Sequence, residues 1–108
     1  MEAEKNKICL VYVTNENVDQ ANQLVDTIIN ERLAACANMF PIQSAYWWQD
    51  AVAKEDEVVA LFKTIPLLWN SLKKRIEEVH PYEVPCILKI EAEVNQSYFN
   101  WIHESVSP

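Results

Sequence analysis

Apolar and β-branched residues fill Ile8-Cys-Leu-Val-Tyr-Val-Thr14 without a helical period, and the polar cluster Asn15-Glu16-Asn17 ends the run. A run this short, bounded by turn formers, predicts a buried strand. The pattern then changes. Val18, Ala21, Leu24, Val25, Ile28 and Ile29 form a stripe at helical spacing, with Asp19, Gln23, Asp26 and Asn30 outward. Asn17 stands three residues before Gln20, a capping-box spacing that fixes where this helix begins. Leu33 to Trp48 loses the helical period again and carries Pro41, which suits an edge strand, a bulge or a kink and not a central ladder. Gln49-Asp50-Ala51 is the best hairpin turn, since Asp tolerates left-handed backbone. Val58 to Phe62 is a second short apolar strand. Ile65, Leu68, Trp69, Leu72, Ile76 and Val79 then predict a second amphipathic helix, with Pro66 in its first turn and Pro81 past its end. From Cys86 to Val94 apolar and charged residues alternate, which predicts a half-exposed strand. Gln96 to about Ser105 closes the chain as a short helix packing Phe99 and Ile102.

Strand, helix, strand, strand, helix, strand is the order of the split βαβ plan. The expectation is an α+β fold, a ferredoxin-like βαββαβ sandwich with a short C-terminal helix, in one domain over 1–108. In that plan the helices cover one sheet face. Here both alternating sets of the first strand are apolar, Cys9, Val11 and Val13 on one side and Ile8, Leu10 and Tyr12 on the other. Val58 to Phe62 is two-sided in the same way. A sheet with two apolar faces and helices on one needs another cover, which predicts an oligomer with edge strands such as 33–48 pairing across chains.

Composition narrows what such a fold could do. The 108 residues include no glycine, where average usage would supply about seven or eight. Without glycine there is no Walker loop, Rossmann fingerprint, nucleophile elbow or EF-hand turn. Nine basic against 16 acidic residues, a net charge of −7, disfavours nucleic acid and anionic membrane as partners. Met1 to Lys7 is polar and carries no signal-peptide core, and Leu33 to Gln49 is too short and mixed to span a bilayer. The three cysteines, Cys9, Cys36 and Cys86, are an odd and widely spaced set. Reduced, buried thiols and a cytoplasmic location are expected.

The densest candidate chemistry is Val79-His80-Pro81-Tyr82-Glu83-Val84-Pro85. Two prolines stiffen this loop at a helix C-terminus, where the dipole would favour protonated His80. Imidazole and carboxylate together suit a divalent cation; the alternative is a helix-stop loop with His80 capping carbonyls. Lys54-Glu55-Asp56-Glu57 is either a solvated face or a set of oxygen ligands for a hard cation. Tyr46-Trp47-Trp48 suits core or subunit packing, or else a stacking platform. Lys63 lies in an apolar strand, either at its solvent end or as a buried charge with a purpose. Ala34-Ala-Cys-Ala37 suggests tight packing. With two histidines and no oxyanion loop, no catalytic constellation can be assembled, and the chain is not expected to be an enzyme.

Several strings taken together resemble the CutA divalent-ion tolerance family: Glu31-Arg-Leu-Ala-Ala-Cys-Ala-Asn38, Ser44-x-Tyr46-x-Trp48, Glu57, Lys63-Thr64 and His80-Pro-Tyr-Glu-Val-Pro85. They stand in the family's order over roughly residues 8 to 103. The resemblance implies a ferredoxin-like homotrimer in the cytoplasm, linked to tolerance of copper and other divalent ions, without an established reaction. The family's copper site would fall at Val13, Val79 and His80, so only His80 remains of it, and Cys9 is four residues from the place that needs a thiol. An inter-subunit pocket is implied at Trp48, Glu57, Lys63, His80, Tyr82 and Glu83. Two expectations follow: weak binding of a divalent metal such as copper through His80 and Glu83 or surface carboxylates, or a signalling-type trimer holding a small anionic effector through Lys63 and His80. Where the family pattern has glycine, after the proline of the long strand and in the hairpin turn, this chain has Ile42 and Asp50. The first should alter the kink after Pro41; the second asks Asp50 to take the turn.

Overall fold

In a computed structural model, residues 5–107 are described; Met1 to Glu4, which open the polar start of the chain, and Pro108 lie outside them. Four strands and three α-helices follow in the order β1 (Lys7–Asn15), α1 (Val18–Asn30), β2 (Cys36–Trp48), β3 (Ala51–Thr64), α2 (Trp69–Val79), β4 (Ile87–Glu93) and α3 (Gln96–Val106), with a 3₁₀ turn at Pro66–Leu68. The sheet is antiparallel in the order β2-β3-β1-β4. The expected ferredoxin-like plan is therefore the observed one.

Local chemistry sets the element ends. Asn17 accepts from the Gln20 N–H at 2.9 Å, while the Gln20 side chain reaches back to the Glu16 N–H at 2.6 Å. The first bond satisfies an N–H that an uncapped helix leaves free, and the second ties the residue before the cap to the first turn. The hairpin β2–β3 closes on two residues, Gln49 and Asp50, both with positive φ (50° and 64°). Both occupy the left-handed region, as a type I′ turn requires, so Asp50 does take the turn, and Gln49 shares it. Ala51 already belongs to β3.

Register divides the faces. Cys9, Val11, Val13, Ala60 and Phe62 pack beneath α1 and α2 with Leu24, Ile28, Leu72 and Ile76, forming the buried core. On the opposite face, rows such as Leu10–Lys63–Cys36 and Tyr12–Leu61–Asn38 run across the strands. There α3 covers one end, with Tyr98 against Cys36 and Lys63. The rest of that face stays open: Leu88 and Ile90 are 49% and 42% exposed, and Phe40 is 38% exposed. The two-sided apolar pattern of β1 thus corresponds to a sheet whose second face is largely uncovered within one chain.

Two boundaries differ from expectation. β3 extends back through Lys54-Glu55-Asp56-Glu57 to Ala51, so the charge run lies inside the strand and not before it. β2 begins at Cys36 rather than at Leu33. At Pro41 there is no bulge, since the β2–β3 register runs unbroken from Cys36↔Lys63 to Trp48↔Ala51; of the expected edge strand, bulge or kink, the edge strand is the one observed. Proline is tolerated there because β2 is an edge strand and the missing N–H costs the ladder nothing when it faces outward. The long hairpin makes the molecule elongated, 47 × 28 × 22 Å, with a radius of gyration of 14.9 Å against about 13 Å for a compact chain of this length.

Candidate functional site

The His80–Cys86 segment joins α2 to β4 and crosses the end of β1 beyond the last β4 pairing, Val13↔Ile87. His80 is the C-cap of α2 and only 8% exposed. Its Nδ1 accepts from the Tyr82 N–H at 3.1 Å. Nε2, 2.9 Å from the Thr14 carbonyl, therefore carries the proton and donates it there. The Gln20 amide nitrogen lies 3.4 Å from Nε2; both are donors in this arrangement, so that contact is packing. Burial holds the imidazole below its ordinary pKa of 6.5, with the Thr14 bond and the Glu57 charge opposing weakly. This corrects the expectation that the helix end would favour protonated His80, since burial disfavours the charged form. In the alternative reading His80 does stop α2, but its side chain bonds the Thr14 carbonyl of β1 and not a helix carbonyl.

Tyr82 stands with its ring 4.7 Å from that of His80, edge-on. Its hydroxyl donates to Glu57 Oε2 at 2.8 Å. Burial first, then the Glu57 bond and charge, hold the phenol well above its ordinary range, so Tyr82 acts as a donor and not as a base. Glu57, 8% exposed, is thus a nearly buried carboxylate held by a phenol. Beside it Cys86 is exposed over the residue as a whole, and its thiol is pushed up by partial burial and by Glu57. Glu83 lies on the exposed side of the same loop.

Three of the residues singled out from sequence therefore meet: His80, Tyr82 and Glu57. The other pocket candidates do not join them in one chain. Lys63 is six residues along β3 from Glu57, about 20 Å at the usual strand rise, and Trp48 lies at the hairpin tip, paired with Ala51 and 52% exposed. Lys63 is half-buried, its ammonium 5.4 Å from the Tyr98 ring centroid. Val13 is fully buried in the core and Val79 is 37% exposed. Among the described residues, no three His, Cys, Asp or Glu side chains converge as a metal site. An open groove of about 560 Å³ lies beside the site, lined in part by Glu16, Asn17, Pro41, Gln43, Asp56 and Glu57. Alternation along β3 aims Asp56 and Glu57 to opposite faces, so its carboxylates do not close on one point.

Sequence reasoning missed Thr14, Gln20 and Asn15. Thr14 holds His80 through its backbone carbonyl, and the Gln20 amide packs against the imidazole; neither role carries a sequence signal. Asn15 is wholly buried and donates to the Val13 and Val58 carbonyls at 3.2 and 3.1 Å, tying the end of β1 to β3. An Asn directly after an apolar strand was the one available hint.

An antiparallel βαββαβ sheet with a rigid His-Pro-Tyr loop laid over its end and one apolar face left open defines a class of small ferredoxin-like domains built to meet other chains. The match to known proteins is specific. The family model for the CutA1 divalent ion tolerance protein covers residues 9–105, and the chain belongs to this family. It is 42% identical over 96 residues to the divalent-cation tolerance protein CutA of Pyrococcus horikoshii, spanning 88% of this chain and 94% of that one. The crystal structure of CutA1 from Ehrlichia chaffeensis superposes with a TM-score of 0.91 at 27% identity, covering 97% of this chain and all of that one. The Archaeoglobus fulgidus structure described as a periplasmic divalent cation tolerance protein CutA is similar with a TM-score of 0.89 at 28% identity, covering 93% of this chain and 99% of that one.

Proposed function

We propose that the protein serves divalent-cation tolerance as a homotrimer that binds cations such as copper weakly, through carboxylate oxygen more than through imidazole. Membership of a family whose relatives are named for cation tolerance carries the first part. The open apolar face supports the trimer, because Leu88, Ile90 and Phe40 would otherwise remain in water. Light scattering should give three times the 12.5 kDa chain mass; a monomer would refute the assembly.

His80 and Glu83 remain the loop's cation donors in this reading, but unequally. Both His80 nitrogens are engaged with backbone, so imidazole ligation must break one of those bonds. Glu83 is exposed and free to bind. Copper titration should weaken in Glu83→Gln and stay unchanged in His80→Gln; the reverse result would return the site to the imidazole. No reaction is assigned: the His80 nitrogens are occupied and Tyr82 is held protonated, so neither stands ready as a base. We place the protein in the cytoplasm, and cell fractionation tests this against the periplasmic description of the Archaeoglobus relative.

One observation favours a second reading. Lys63 is a half-buried cation in an acidic chain, and the salt bridges among the described residues are those of Arg75 with Glu31 and Glu78. A small anionic effector could use it. In one chain Lys63 and the Thr14 carbonyl that holds His80 are four residues apart along the sheet, about 13 Å, so an effector touching both needs two subunits. Thermal stabilisation by phosphate or small carboxylates, and not by metals, would favour this reading.

A further inference from the structure

Trp69 opens α2 and is half-buried, packed against the core. Two lysines from different elements converge on its indole. Lys73, one turn further along α2, holds its ammonium 5.3 Å from the ring centroid, and Lys89 of β4 holds its own at 5.5 Å. Lys89 pairs with Val11, so it rises from the helix-covered face of the sheet. Lys63 pairs with Leu10 and stands on the opposite face. The cluster is therefore separate from the His80 loop and from the open face assigned to subunit contact.

An indole attracts a cation to its π face. A second ammonium at the same ring adds repulsion between like charges. The chain carries 16 acidic residues against nine basic ones, yet neither lysine takes a carboxylate. Among the described residues the ion pairs are those of Arg75 with Glu31 and Glu78. Glu77, one turn past Lys73, and Glu91, two residues past Lys89, are both exposed and stand outside pairing distance. The first turn of α2 holds no acidic residue. Lys89 is exposed and Lys73 half-exposed, so both ammoniums are reachable. What results is a small electropositive corner in an acidic protein, built from donors alone.

We propose that Trp69, Lys73 and Lys89 form a binding site for a small multivalent oxyanion, a phosphate group or a polycarboxylate. The two ammoniums donate to its oxygens, and the indole keeps them close together in the anion's absence. A dianion cancels the repulsion between the two charges, whereas a monovalent ion such as chloride offsets it only in part. Because Lys73 belongs to α2 and Lys89 to β4, a bound anion also ties the helix to the edge strand. The site stands independently of cation binding at the His80 loop and of an effector at Lys63.

The test is an NMR titration of the full chain that follows the Trp69 indole N–H, assigned by its disappearance in Trp69→Phe. Inorganic phosphate and citrate, added separately at constant ionic strength, should move this resonance along a saturable curve, and chloride should not. The tighter of the two identifies the source of the oxyanion. Lys73→Gln and Lys89→Gln should each weaken binding about tenfold, and the double variant should abolish it. Lys89→Arg keeps the charge and should keep most of the affinity. The backbone amide spectrum of each variant checks that it folds. A response matched by chloride would overturn the proposal, as would an absence of saturation with both anions. So would a Trp69 shift that survives in the double variant, which would assign anion binding to another site such as Lys63.

Discussion

The two halves of β3 share one partner strand and one unbroken register, yet live in different environments. From Val58 to Thr64 the strand lies between β2 and β1, and Val59, Ala60, Phe62 and Thr64 are fully buried. From Ala51 to Asp56 it pairs with β2 alone and forms an arm, where Trp47 is 75% exposed and Val52 56% exposed. Hydrogen bonding is the same in both halves; burial is not. A ladder specifies geometry, whereas removal of apolar surface from water supplies most of the stability. Glu57 marks the boundary, and there the chain places its buried carboxylate, with Tyr82 and His80 around it. The rigid end holds chemistry, and the arm presents surface.

The largest effect should come from breaking the buried half. Phe62→Ala removes a fully buried ring from the core beneath α1 and α2 and should cost about 3–5 kcal/mol. Denaturant unfolding measures it. Trp47→Ala, equally drastic in volume, should leave the stability of a dissociated chain nearly unchanged, because its ring is in water in one protomer. If both cost the same in the monomer, the division of β3 is wrong. In an assembled trimer the Trp47 change would act through subunit association instead, visible as a concentration-dependent melting temperature.

The boundary comes next. Tyr82→Phe keeps the ring against His80 but strips Glu57 of its donor, leaving a nearly buried carboxylate unsatisfied. That should cost about 1–3 kcal/mol, with Tyr82→Phe/Glu57→Gln recovering part of it. His80 gives the boundary a pH signature. Its folded pKa lies below the unfolded value of 6.5, so the unfolded chain binds more protons as acidity rises. Its contribution is fully present above about pH 6.5 and is lost as pH falls through the folded pKa. Stability measured between pH 7 and 5 should decline in the parent and decline less in His80→Gln. An unchanged slope would remove His80 as the titrating group.

The helices, the strand order and the open second face were legible in the sequence, because each rests on a periodicity that burial enforces. Val18 to Ile29 and Ile65 to Val79 show one apolar stripe apiece, and β1 shows apolar residues in both alternating sets. The arm was not legible in the same way. Ala51 to Glu57 contains four charged residues in a row, and a strand with no helix above it has no inner face for a pattern to mark. The site was half legible. The prolines around Tyr82 announced a rigid loop, but the sign of the His80 shift came from burial, which outweighs the opposing bond to the Thr14 carbonyl, and neither is written in residue types. Lys63 and Trp48 resembled pocket residues through the family strings alone; the fold places them far from His80 in one chain, a separation no local pattern encodes.

The smallest effect probes the arm's tip. Gln49 and Asp50 adopt φ of 50° and 64°, a conformation that costs a residue with a Cβ about 1–2 kcal/mol. Glycine avoids that cost but brings roughly 0.5–1 kcal/mol of extra unfolded-state entropy. Asp50→Gly should therefore stabilise the hairpin by a net amount of about 0.5–1 kcal/mol, with Gln49→Asn adding less. Where that gain appears decides how the halves of β3 are joined. If arm and core unfold together, the whole gain raises the global midpoint. If the arm frays independently, global stability stays fixed, and amide exchange slows only near the tip, around Trp48 to Val52. The arm's few buried side chains favour the second outcome: its ladder can open without exposing Phe62 or Val59, so nothing in the core resists the opening.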